Sequence, residues 1–276
     1  MTAYVRPNNR THQQIRPIAI HYDVYGYADA SVLWEQGNTK VLIGISLQQM
    51  VPPFLKGQKT GWLSAEYAML PIATQQRTQR ESSQSQRNSR SVEISRLIGR
   101  CLRTAVDLNA LGERSIIIDC DVLQADGGTR VACICAASLA LKIACNRWHI
   151  AGLTQTNIFK TSIAALSAGL VSGVPVADLE YSEDNRADAD FNFVFTKDGL
   201  IVEIQGTCEK TPISVELFEQ IKLLALNGTQ EIFKQCATFS LPENRSVTQT
   251  IQSHKSYDKQ SFFSLANRLN KAVDAK

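Results

Sequence analysis

Three stretches of the 276-residue chain gather residue types that can do chemistry. The first is Gln124–Arg130, whose core is Asp126-Gly127-Gly128-Thr129-Arg130. It joins an apolar run, Ser115–Leu123, to the Ala-, Leu-, Ile- and Cys-rich run Thr129–Trp148, so it reads as a strand-to-helix turn. Free backbone N–H groups at a helix start attract an anion, and glycines let the backbone approach a phosphate closely. Thr129 adds a hydroxyl, and the Arg130 guanidinium fits a tetrahedral oxyanion with two bonds. The glycines alone are far less specific than a full P-loop, and an ordinary turn with a surface arginine also accounts for them.

The second stretch, Asp178 to Asp190, holds Asp178, Glu180, Glu183, Asp184, Asp188 and Asp190 against the single cation Arg186. Six acids so close repel one another unless something positive sits between them. If Phe191 begins a strand, Asp190 lies at its mouth, and a turn can bring Asp184 alongside to give two hard oxygen ligands for Mg²⁺ or Mn²⁺. A solvated acidic loop is the competing reading. The third stretch, Thr74–Arg103, carries Arg77, Arg80, Arg87, Arg90, Arg96, Arg100 and Arg103 against Glu81 and Glu93. That local excess, hidden in a whole-chain charge of +3, points to a polyanion. Arg96, Arg100 and Arg103 repeat at helical spacing and fit a subunit contact or a solvated stripe. Other tempting residues carry less. The four histidines lack metal-ligand spacing, Cys133 and Cys135 fall in a run that reads as a buried helix, and Ser64–Tyr67 has no nucleophile-elbow pattern.

These stretches need a frame. At 44% hydrophobic and 20% charged residues, the chain can bury a real core and is neither disordered overall nor a disulfide-stapled miniprotein. Its seven cysteines form no CxxC pair, the start is too polar for a signal peptide, and no uninterrupted apolar run approaches the roughly 20 residues of a membrane helix. The expectation is a cytoplasmic protein with reduced thiols. Gly37-Asn38 between Ala30–Gln36 and Thr39–Leu47 predicts a hairpin, and Lys197-Asp198-Gly199 between Phe191–Thr196 and Leu200–Gln205 predicts another. Val51–Thr74 reads as a long connection. Apolar spacing from Val92 predicts a helix ending near Leu111-Gly112, and strands follow at Ile163–Val171 and Val176–Tyr181. Ser214–Leu226 reads as a helix closed by Gly228, followed by a short second one to about Ala237. The sum is an α+β domain over residues 1–240, helices packed on mixed sheets, with a polar tail at 241–276 holding a weak helix at Phe262–Val273.

In order and spacing, Ser31–Leu42, Phe54–Gln58, Ser64–Pro71, Asp119–Arg130, Asp178–Asp184 and Val202–Thr207 resemble the ribonuclease PH family, over roughly Arg6 to Ala237. The resemblance implies a fold like domain 2 of ribosomal protein S5 and a homohexamer built as a trimer of dimers. It implies a phosphate-dependent 3′ to 5′ exoribonuclease that trims tRNA 3′ ends and releases nucleoside diphosphates. Carried over residue by residue, it implies a phosphate site at Gly128, Thr129 and Arg130 with Arg90. It also implies metal-binding aspartates at Asp184 and Asp190 for Mg²⁺ or Mn²⁺, with inorganic phosphate as co-substrate, and RNA contacts at Arg77 and Arg80. Pro53 and Ile72 stand where the family usually has arginine, Gln75 where histidine is common, and Asn88-Ser89 where glycines are usual. Reduced affinity for the RNA backbone, with the chemistry retained, is the expected consequence. Two other classes stay open: an RNA-binding ring subunit without catalysis, and a small-molecule phosphotransferase, which would need a nucleotide-binding glycine loop of its own.

Overall fold

The computed structural model describes residues 4–81 and 88–242. Arg87, most of the tail and its predicted helix lie outside the described residues. Among the described residues nine strands form two sheets. The first contains β1 (Ile18–Tyr22), β2 (Ala30–Gln36), β3 (Thr39–Gln48), β4 (Trp62–Met69) and β5 (Ser115–Gln124), in the order β1-β2-β3-β5-β4. The second contains β6 (Ile163–Val171), β7 (Val174–Ala177), β8 (Ala189–Thr196) and β9 (Ile201–Cys208), in the order β7-β6-β8-β9. All neighbours are antiparallel except β4 and β5, whose parallel pairing is bridged by helix α1 (Ser89–Arg103). A one-turn helix, α2 (Leu108–Leu111), leads into β5.

Helix α3 (Thr129–Ile150) is long and apolar enough to cross a membrane by composition. It is buried instead, packed on β2 and β3 of the first sheet and on β6 of the second, which is why it is apolar around most of its circumference. One-turn helix α4 (Tyr181–Asp184) follows β7, and helix α5 (Val215–Thr238) closes the second sheet. Because α3 and α5 both pack on β6, every residue of that strand is buried, and its sequence is an apolar run broken only by Ser167 rather than an alternation. Ala168, Leu170, Phe191, Phe193 and Phe195 pack there against Ile221 and Ala225 of α5.

The α+β architecture and both predicted hairpins are present. Five elements differ, each because tertiary contact outweighs local pattern. The polar N-terminal stretch contains β1, and the expected connection Val51–Thr74 contains β4, whose Leu63 and Tyr67 are buried. Helix α1 stops at Arg103; Ala105 and Val106 continue its apolar pattern because they are buried in the following loop, where Val106 bridges to Phe159. Strand β7 ends at Ala177, since Asp178 takes a left-handed φ of 55° that no strand continues through. Helix α5 runs unbroken through Gly228, where a Cβ would lie 2.2 Å from Leu166 Cδ2, so this glycine serves close packing and not a helix stop.

Candidate active site

Strands β4 and β5 run in one direction, and the turn after β5 opens into a cleft of about 1540 Å³. Its walls include Arg90, Gly128, Thr129, Arg130, Asp184 and Asp190, so residues up to 100 positions apart converge on one space. Gly127 and Gly128 adopt φ of 78° and 68°, and Gly128 is the residue before the first turn of α3. A Cβ on Gly127 would lie 2.7 Å from backbone atoms of Leu179, Glu180 and Tyr181. The turn is therefore pressed backbone to backbone against the acidic stretch, and Tyr181 N–H donates to the Asp126 carbonyl at 3.2 Å. Thr129 Oγ1 lies 3.0 Å from the hydroxyl of buried Tyr67 on β4. Asn88 caps α1 by accepting from the Arg90 N–H at 3.0 Å, placing Arg90 in that helix's first turn.

The two aspartates face these donors from the second sheet side. Asp184 ends α4, and Asp190 sits near the start of β8, opposite Gly169 and Thr207. Burial raises the Asp184 carboxyl above its ordinary value, against the downward pull of Arg90 and Arg130. Asp190 is raised by burial and further by the charges of Asp184 and Glu209. Neither carboxylate has an ion pair among the described residues. Arg130 donates to Gln205 Oε1 at 3.3 Å and lies 3.6 Å from Glu93, which is half exposed. Two unpaired hard oxygen donors fit Mg²⁺, which keeps several waters and takes one or two carboxylates together with substrate phosphate. Among the described residues no group of three or more metal-ligating side chains offers a fuller cage.

The other acids of the stretch are already satisfied, by cations that sequence reading did not single out. Arg6 binds Glu183 with two donors at 2.7 and 2.8 Å. Arg10 reaches Glu180 and Glu183, and Arg16 clasps both oxygens of Asp178 at 2.7 and 3.0 Å. Asp188 pairs with Lys210 at 2.7 Å. The signal was present as a deficit: six acids stood against one cation, and three arginines in the first sixteen residues meet Asp178, Glu180 and Glu183. Tyr67 gave no signal beyond its apolar setting.

The arginine-rich stretch divides. Arg100 binds Glu203 with two donors at 2.6 and 2.9 Å, and Arg103 lies 4.5 Å over the Trp62 ring, so both serve contacts within the chain. Arg77 and Arg80 are exposed and do not line the cleft, although Thr78 and Gln79 between them do. Gln75 is in the wall, and Ile72 is 74% exposed.

The fold is shared with solved structures. An exosome of Archaeoglobus fulgidus with RNA bound to its active site matches with a TM-score of 0.70 at 20% identity, over 84% of this chain and 92% of that one. Rice (Oryza sativa) Rrp46 matches at 0.66 and 17% identity, over 84% and 99%. An archaeal exosome core matches at 0.66 and 21% identity, over 83% and 91%. These likenesses place the chain in the α+β class of ribosomal protein S5 domain 2-like folds. Family models for the 3′ exoribonuclease family match as well, domain 1 over residues 14–145 and domain 2 over residues 161–228. The first takes in the glycine turn and the second both aspartates, so the chain that brings them to one cleft belongs to the 3′ exoribonuclease family of ribonuclease PH.

Proposed function

We propose that this protein is a phosphate-dependent 3′ to 5′ exoribonuclease that removes the 3′-terminal nucleotides of tRNA precursors as nucleoside diphosphates. The observation that carries the reading is the shared cleft, in which an anion-binding turn with two arginines faces a pair of unpaired carboxylates. Inorganic phosphate is held by Arg90, Arg130, the Thr129 hydroxyl and the backbone N–H groups at the start of α3. One of its oxygens bonds to the phosphorus of the terminal linkage as the bond from that phosphorus to the 3′ oxygen of the penultimate nucleotide breaks. That oxygen leaves with a proton as the new 3′ hydroxyl, and the last nucleotide departs as its diphosphate. Arg130 and Arg90 neutralise charge that grows on the phosphoryl oxygens, where preorganised donors act most strongly. Asp184 and Asp190 would hold Mg²⁺ or Mn²⁺, which supplies Lewis-acid stabilisation of the phosphoryl centre and the leaving oxygen.

Arg77 and Arg80 carry the RNA strand outside the cleft, and a homohexameric ring, a trimer of dimers, completes the enzyme. The likeness to exosome subunits supports the ring. A tRNA extended by a few 3′ residues, incubated with purified protein with and without phosphate, tests the reading. Phosphate-dependent release of nucleoside diphosphate is the expected result. RNA retained without product would mark a ring subunit that binds and does not cut. Light scattering showing a stable monomer would remove the hexamer.

A further inference from the structure

The proposed chemistry needs phosphate and metal at a fixed separation, yet their residues sit on different loops, the turn after β5 and the segment after β7. One buried side chain holds both. From its place just before β1, Arg16 binds Asp178 through Nε and Nη2 and through its own backbone N–H, the last at 2.6 Å. Nη1 of the same guanidinium donates to the Asp126 carbonyl at 2.6 Å and approaches Thr39 Oγ1 at 3.3 Å. Nη2 reaches the Gly127 carbonyl at 3.4 Å. Its side chain is only 5% exposed and is not among the walls of the cleft. Asp178 and Asp126 are 52 residues apart, and only a planar fork with donors on several edges can grip a carboxylate and two carbonyls at once. A trans peptide aims each C=O opposite the following N–H, so pulling the 126 and 127 carbonyls toward Arg16 turns the Gly127 and Gly128 N–H groups away from it.

We propose that Arg16 is a positioning residue that locks the anion turn to the carboxylate helix and thereby couples phosphate binding to metal binding. The proposal rests on the phosphorolytic reading of the cleft. Lysine keeps the charge but has one point donor in place of the fork, so Arg16→Lys should leave each loop able to bind its own ligand while freeing one from the other.

The test is calorimetric titration of inorganic phosphate into the full-length protein with and without Mn²⁺, with the reciprocal Mn²⁺ titration, since coupling between two ligands is symmetric. In wild type, Mn²⁺ should tighten phosphate about tenfold or more. In Arg16→Lys each ligand alone should bind within about threefold of wild type, while the tightening falls to near onefold. Undiminished tightening in Arg16→Lys would overturn the proposal, as would wild type with no tightening to lose. If Arg16→Lys does not fold, Asp178→Asn carries the test. Asparagine tolerates the φ of 55° at this position and loosens the same clamp from its other end, so the same loss is expected and wild-type tightening would again overturn it. A wild-type protein that binds no phosphate with or without Mn²⁺ would refute the reading of the cleft and the role of Arg16 with it, whereas phosphate that binds without Mn²⁺ tightening would refute the role of Arg16 alone.

Discussion

Within Asp178–Asp190 the acids divide between two environments. Asp178 and Glu183 are fully buried, and each is met by two or more arginine donors. Asp184, directly after Glu183 in sequence, and Asp190 line the cleft without an ion pair among the described residues. Burial acts on all four in the same direction, but the outcome is opposite. Arg16 and Arg10 hold Asp178, and Arg6 and Arg10 hold Glu183, below their ordinary values, whereas Asp184 and Asp190 stay above theirs. The first pair is neutralised in place and fixes the loop. The second is left with its charge uncompensated, the condition in which a carboxylate recruits a cation from outside.

The largest effect expected from this contrast is on stability. Glu183→Gln leaves buried Arg6 without its counter-charge and Arg10 with Glu180 and Asp178 alone, and should cost about 3–5 kcal/mol, read as a fall in urea midpoint at constant slope. Asp190→Asn removes a charge that its neighbours repel, and its midpoint should equal or exceed wild type. Equal losses in the two variants would erase the distinction between the two halves.

Activity should sort the same residues the other way. Arg130→Ala and Asp184→Ala should lower phosphate-dependent diphosphate release by about a hundred- to a thousandfold, roughly 3–4 kcal/mol of transition-state stabilisation, with unfolding midpoints near wild type. Wild-type turnover in Arg130→Ala would break the assignment of the glycine turn as the phosphate seat.

A smaller effect follows in acid. Asp178 and Glu183 have folded values below their unfolded ones, so their stabilisation is complete above the ordinary carboxylate range of about 4 and is lost as pH falls through the depressed folded values. Urea midpoints measured from pH 7 down to pH 2.5 should therefore decline steeply below about pH 4, and the decline should be shallower in Glu183→Gln, which has one fewer carboxylate to protonate.

How much of this was legible in the sequence depends on whether the signal is local. The glycine turn was, because strand, Asp126-Gly127-Gly128 and helix are adjacent in the chain and the φ values fall on the glycines. The hairpins at Gly37 and Gly199 were legible for the same reason. Strand β4 was hidden between glycine and proline breakers because its partner β5 is about fifty residues away and lies parallel to it. The buried arginines were hidden more deeply, since a polar N-terminus with scattered arginines has the composition of a solvated one until its long-range partners are known. Gly228 misled in the opposite sense, because a glycine required by the Leu166 contact is indistinguishable in sequence from one that stops a helix.

The smallest expected effect concerns Arg77 and Arg80, which differ from both acid groups in being exposed. Arg77 and Arg80 lie on the surface beside the cleft, where a phosphate contact is sequence-independent and screened by salt. Each such contact to single-stranded RNA adds about 0.7 to the slope of log affinity against log salt, so Arg77→Gln and Arg80→Gln should each lower the slope by about that amount and weaken all RNAs alike. Pro53→Arg and Ile72→Arg should raise it in the same increments, because both positions are exposed and neither side chain can contact phosphate as it stands. If the slopes do not move while turnover does, these positions act on the cleft itself, and the separation of a binding surface from a catalytic floor is wrong. If the slopes move and turnover at saturating RNA holds, the surface supplies affinity alone and the chemistry resides with the residues that Arg16 keeps in register.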